Sequence, residues 1–145
     1  MDIWALVRFV HITGAALWVG GQLALALVIT PLARRLLGSH EQQRVVIGAF
    51  GRRFARLTLA AALPLQIATG IGLAVHNGVT WASLAEPGYG RTLAAKLGLL
   101  VLAMAAAAGH GVAAAKDRRE LSRMLSATGL VCSLGVVLLA SALAG

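Results

Sequence analysis

Charge is scarce in this chain, and acidic charge is the scarcest. Only 12% of the 145 residues are charged, with five acidic against thirteen basic side chains, whereas about a quarter of an ordinary soluble domain is charged. Hydrophobic residues make up 59% of the sequence, and the mean hydropathy is +0.82. This composition excludes a disordered chain and argues against an ordinary cytosolic domain. It indicates a small integral membrane protein.

Sulfur is also scarce, which limits two kinds of chemistry. The single cysteine, Cys132, excludes an internal disulfide framework. Cu(I) prefers thiolate and thioether ligands, and only three methionines are present to join that cysteine. None of them forms a closely spaced pair: they are Met1, Met104 and Met124. Copper binding therefore stays an alternative rather than the first hypothesis.

Long apolar runs are what this sequence does contain. A bilayer core takes roughly 20 apolar residues in a helix, and four segments meet that length, at about 3–31, 57–76, 92–115 and 124–144. Backbone polar groups in lipid must be satisfied within the segment, so each is expected to be helical. The sequence predicts an all-α bundle of four transmembrane helices that forms a single membrane domain over residues 1–145.

Basic residues are concentrated in two of the connections. Ten of the thirteen lie between the first and second spans or between the third and fourth: Arg34, Arg35, Arg44, Arg52, Arg53, Arg56, Lys116, Arg118, Arg119 and Arg123. By the positive-inside rule these connections are cytoplasmic, which puts both termini on the outer side. The net charge of +8 is thus assigned to topology, and nucleic acid is not expected as a partner.

Ionisable side chains within the spans are the candidates for function, because burying them in lipid is costly. Three of them are expected at one depth in the outer leaflet. Each lies 20 residues from the inner end of its span, or about 30 Å: His11 counted from Pro31, His76 from Arg56 and Lys96 from Lys116. Packing alone gives no reason for three helices to deliver polar groups to one level.

Two histidines at one level can bind heme as an axial pair. His11 and His76 are therefore predicted to ligate heme b in the outer leaflet. The heme propionates would meet the three cations on that side, which are Arg8, Arg91 and Lys96. Trp18 shares a helical stripe with His11 and is assigned to the same cofactor site. The alternative is that the histidines are buried and hydrogen-bonded across helices.

His110 is a separate case, because it lies 14 residues after Lys96 on the third span. That spacing places it about 21 Å deeper. No second histidine is expected at its depth, so a second bis-histidine heme is not predicted. A structural or proton-relay role is favoured, and pairing with His11 as the alternative metal ligand stays open.

Short motifs resemble two families of bacterial membrane proteins. The chain is similar to the CopD (copper-resistance D) type in five stretches: Phe9-Val10-His11, Ala16 to Gly21, Arg52-Arg53-Phe54, Thr69-Gly70 and Tyr89 to Leu97. It also resembles the HemJ-type family, with His11 before Trp18 to Gly20 and with Lys96 before His110. The first resemblance implies copper-related roles. The second implies heme b and protoporphyrinogen IX oxidation, and both imply a multi-pass protein of the bacterial cytoplasmic membrane.

The expected function is that of a small b-type heme protein, similar to a cytochrome b. It would carry out one-electron redox chemistry at the outer face of the membrane. The candidate partners are membrane lipid and a quinone, a porphyrinogen or a small oxidant, with a homo-oligomer also considered. Enzyme activity is left open, and a heme-dependent oxidoreductase is the candidate. Copper binding or transport and HemJ-like porphyrinogen oxidation are the alternatives.

Overall fold

Four long helices account for nearly all of the regular structure. The computed structural model describes residues 2–144, and it contains no strand within that range. The helices are α1 (Ile3–Leu36), α2 (His40–His76), α3 (Tyr89–Ala115) and α4 (Arg119–Ala144). Each is long and apolar enough to cross a membrane. The predictions of an all-α fold and of four such spans are confirmed.

The chain divides into two compact units, Met1–Asn77 and Gly78–Gly145. The first unit is a hairpin of α1 and α2, and the second is a hairpin of α3 and α4. The single domain expected over residues 1–145 stays a prediction. Two residues lie outside the described range, Met1 and Gly145, so one of the methionines weighed for copper is not described.

The helices of the first unit are longer than the apolar spans that predicted them. The turn between them is short, and Ser39 begins α2 by accepting a hydrogen bond from the Gln42 amide at 3.2 Å. Gln42 stands three positions after this N-cap, the spacing of a capping box. The amphipathic stretch from Leu32 to Arg56 is therefore helical on both sides of the turn.

Each helix of the first unit has one widened π-helical turn just before a proline. The π turns are Leu25–Ile29, before Pro31, and Thr58–Ala62, before Pro64. Proline lacks an amide hydrogen and clashes with the carbonyl four residues earlier, so the preceding turn must rearrange. In α1 the Thr30 hydroxyl also donates to the Leu25 carbonyl at 2.7 Å.

Small side chains form the contact between α3 and α4. The buried side chains of α3 and α4 belong to Ala103, Ala106, Ala113, Cys132, Ser133 and Val136. A Cβ at Gly129 would lie 3.6 Å from that of Ala106, so the two backbones approach closely here. Close approach through small residues is the usual way in which membrane helices pack.

A glycine allows the loop before α3 to pack directly on that helix. Gly90 is buried, and a Cβ there would overlap the backbone carbonyl of Ser83. The preceding Gly88 has φ 87°, a conformation that other residues rarely adopt. The Arg91 amide then donates to the Glu86 carbonyl at 3.1 Å. These contacts start α3 at Tyr89, three residues earlier than the apolar span predicted.

Candidate functional site

His11 is held against α2 by a chain of hydrogen bonds. Its Nδ1 lies 2.8 Å from the Thr69 hydroxyl, and that hydroxyl donates to the Leu65 carbonyl at 2.7 Å. A hydroxyl has one proton. When the threonine proton goes to the Leu65 carbonyl, which can only accept, His11 Nδ1–H donates to Thr69. In that arrangement the neutral ring carries its lone pair on Nε2.

This tautomer is the one that suits a metal ligand. Histidines that bind metals usually donate the other ring N–H to a hydroxyl, carbonyl or carboxylate, which sets the orientation of the ring. In this hairpin the hydroxyl of Thr69 has that position. The heavy atoms of His11 thus have the arrangement expected of a ligand that binds through Nε2.

Two further positions of α2 fit closely around His11. The Gln66 side-chain amide donates to the His11 carbonyl at 2.6 Å, and Gly14 provides the space that this side chain occupies. A Cβ at Gly70 would lie 3.2 Å from His11 Cε1, so the imidazole edge lies against a bare backbone. Positions 66, 69 and 70 share one helix face, as residues three and four apart do. That face orients His11.

The sequence contained part of the signal for this contact. Gln66, Thr69 and His76 recur at helical spacing, so they are expected on one stripe of α2. Which of them meets His11 could not be decided from spacing alone. Thr69 was therefore missed as the partner of His11, since its role depends on the pairing of two helices.

His76 lies elsewhere on the same hairpin. Its ring stacks on Trp4 with centroids 4.0 Å apart and an interplanar angle of 11°. Trp4 precedes His11 by seven residues, and His76 follows Thr69 by seven, which corresponds to about 10 Å along each helix. The structure therefore does not bring His11 and His76 to one level. Trp4 is the stacking partner of His76.

The difference in level comes from where the hairpin turns. The predicted depths are counted from Pro31 and Arg56, the residues at the inner ends of the first two apolar spans. The turn lies at residues 37–39, so α1 continues only five residues beyond Pro31, while α2 begins sixteen residues before Arg56. Two antiparallel helices are aligned by their shared turn and their interlocking side chains. Equal distances from Pro31 and from Arg56 therefore do not correspond to equal levels.

The other predicted cofactor contacts are placed as follows. Arg8 is exposed and lies one turn before His11 on α1. Trp18 is half-buried and follows His11 along that helix, whereas Arg8 precedes it. Arg91 and Lys96 belong to the second unit, where Arg91 is exposed and its Nε donates to the Ala85 carbonyl at 3.3 Å. Lys96 is half-buried on α3.

His110 joins the two helices of the second unit. Its Nδ1 lies 2.9 Å from the Ser122 carbonyl and 3.0 Å from the Ser122 hydroxyl. A carbonyl only accepts, so Nδ1 carries the proton here as well. This bond from α3 to α4 is the kind of contact that the structural interpretation of His110 expects.

Among residues 2–144, no three histidine, cysteine, aspartate or glutamate side chains gather into a group that could hold a metal ion. Cys132 is buried in α4, and Met124 is 67% exposed at the start of that helix.

Comparisons with family models, with curated proteins and with solved structures found no match to this chain.

The tautomer of His11 can be read directly by nitrogen NMR. In protein labelled with ¹⁵N-histidine, we expect the His11 ring to show a protonated Nδ1 and a lone pair on Nε2, because Thr69 accepts from Nδ1. Thr69→Ser keeps the acceptor and should keep this pattern, whereas Thr69→Val removes it and should change the pattern. A His11 ring protonated on Nε2 in the unaltered protein would contradict the assignment.

Proposed function

We propose that this chain is a multi-pass protein of the bacterial cytoplasmic membrane, with both termini on the outer side. Support comes from the four long apolar helices and from the concentration of basic residues near the α1–α2 and α3–α4 turns. Cationic connections favour the cytoplasmic side. In this orientation His11, His76 and Trp4 belong to the outer half of the first unit.

Within this unit we propose a site for heme b, with His11 as an axial ligand through Nε2. The observation that carries the proposal is the hydrogen-bond chain from His11 through Thr69 to Leu65. It leaves the ring nitrogen that an iron requires as the lone-pair atom, and it orients the ring. Bound heme would supply one-electron redox chemistry at its iron.

The protein's own side chains have defined tasks in this proposal. Thr69 fixes the tautomer of His11, and Gln66 ties the backbone of α1 to α2 at the same level. Arg8, one turn away and exposed, can pair with a propionate, since guanidinium groups bind carboxylates well. Arg91 and Lys96, the other two cations predicted for this role, belong to the second unit.

His76 and His110 are the two candidates for a second ligand. Two histidines of one hairpin that hold the same iron must lie at one level. His76 lies about 10 Å further along the hairpin than His11, so its pairing with His11 requires a shift of register between α1 and α2. His110 is the sequence-based alternative. Single substitutions of these two histidines test the two pairings separately.

The test of this function is the absorption spectrum of the purified protein. Protein expressed with heme available should copurify with it and show a Soret band that sharpens and shifts on reduction. Pyridine extraction and iron analysis should give about one heme b per chain or per oligomer. A colourless protein that retains stoichiometric copper would overturn the heme proposal and favour the copper alternative.

A further inference from the structure

The inner half of the first unit brings together two helices of opposite character. Residues 23–32 of α1 are apolar apart from Thr30, whereas the facing part of α2 carries Arg52, Arg53 and Arg56. The π turn of α1 at Leu25–Ile29 contacts the His40–Leu57 part of α2, and Gly21 accommodates the ring of Phe54. Guanidinium groups and a continuous apolar segment therefore lie in the same half of the hairpin.

The apolar surface at this level is open. Leu27 is 68% exposed and Val28 57% exposed on α1. On α2 the exposed apolar residues Phe50 and Leu57 lie on either side of Arg53, at spacings of three and four residues that place all three on one face. Arg53 therefore lies between exposed apolar residues on one face of α2, and not on a separate polar face.

Carboxylates of the first unit do not reach these arginines. Within its described residues the only acidic side chains are Asp2 and Glu41. Asp2 caps the distant start of α1, and Glu41 precedes Arg52 by eleven residues, or about 16 Å of helix. No ion pair within residues 2–77 involves Arg52 or Arg53. A guanidinium group next to apolar surface at a membrane is costly unless it meets an anion.

We propose that this surface binds an anionic phospholipid of the inner leaflet. Arg52 and Arg53 bind the phosphate, as guanidinium groups do with two parallel hydrogen bonds. The acyl chains lie along Phe50 and Leu57. The inference depends on the membrane insertion proposed above and is independent of heme.

Both parts of the surface favour a lipid over another polyanion. A phospholipid combines an anionic headgroup with apolar chains, which matches a cation flanked by exposed apolar side chains. Nucleic acid presents phosphates without an apolar surface to cover Phe50 and Leu57. Basic segments next to a membrane helix commonly bind anionic lipid headgroups.

Lipid retention by the full-length protein tests this proposal. Protein in a neutral detergent is titrated with phosphatidylglycerol or with phosphatidylcholine of the same acyl chains, and bound lipid is counted by native mass spectrometry. Phosphatidylglycerol should bind about tenfold more tightly, and the double variant Arg52→Gln/Arg53→Gln should lose that preference. The double variant Arg118→Gln/Arg119→Gln removes the same charge from the other basic turn and should keep it.

Two further measurements test whether the arginine charge and the lipid chains are both needed for binding. Arg52→Lys/Arg53→Lys keeps the charge and should retain most of the preference for phosphatidylglycerol, which separates lost binding from failed folding. Soluble glycerol phosphate should not displace the lipid, because it has no chains to contact α2. Equal retention of both lipids, an unchanged preference in the Arg52→Gln/Arg53→Gln variant, or displacement by glycerol phosphate would overturn the proposal.

Discussion

Replacing His11 with alanine should abolish the heme absorption of the purified protein. The variant removes the nitrogen proposed to bind iron. Its heme affinity should therefore fall by more than the roughly 10–100-fold that the loss of an outer hydrogen-bond partner costs a metal site. Thr69→Val leaves the imidazole in place and should fall within that range. The measurement is the Soret absorbance per chain, with heme added in a titration.

Comparison among the other histidines makes this result specific. His40 is exposed at the first position of α2, next to the turn, so His40→Ala should bind heme like the unaltered protein. Loss of the reduced-state bands in His76→Ala or in His110→Ala would identify the second ligand. Full heme binding by His11→Ala would show that the proposed ligand is wrong, whatever the other variants do.

Placing a single methyl group on Gly90 should strongly destabilise the second unit. A Cβ at this buried position would overlap the Ser83 carbonyl, which belongs to backbone and cannot rotate away. Overpacking of this kind costs about 1–3 kcal/mol, and Gly90→Ala is expected at the upper end. The loss should appear as a lower midpoint of unfolding in detergent, followed by far-ultraviolet circular dichroism.

Another glycine of α3 provides the matched control. A Cβ at Gly98 would meet nothing within 4 Å, so Gly98→Ala adds the same methyl group without a clash. Alanine is favoured over glycine within a helix by roughly 1 kcal/mol, so this variant should unfold at the same midpoint or a higher one. A similar loss in both variants would mean that the contact with Ser83 has no special cost.

Local sequence information was sufficient for the helices. Runs of Ala, Leu, Val and Gly predicted four spans, and Ser39 followed by Gln42 marks the beginning of α2. The ends differ where tertiary or loop contacts decide them. Tyr89 begins α3 because Gly88 and Gly90 allow the preceding loop to pack on it, and hydropathy does not register such a contact.

The sequence identified His11 as a candidate site residue but did not identify the residues that contact it. His11 is identified by the cost of placing an ionisable side chain in an apolar span. Its contact with Thr69, and the stacking of His76 on Trp4, follow from the register between α1 and α2. That register depends on the turn and on the fit of Gln66 against Gly14 and of Phe54 against Gly21.

The scarcity of charge and the length of the apolar runs by themselves determined that this protein is built of helices able to span a membrane. Those properties are local, because each helix satisfies its own backbone hydrogen bonds. Only the tertiary structure decided which polar residues meet. Sliding one helix along its partner leaves every composition and spacing unchanged but exchanges all of the contacts between them. The interlocking of side chains in the α1–α2 hairpin selects one register, and that register pairs His11 with Thr69.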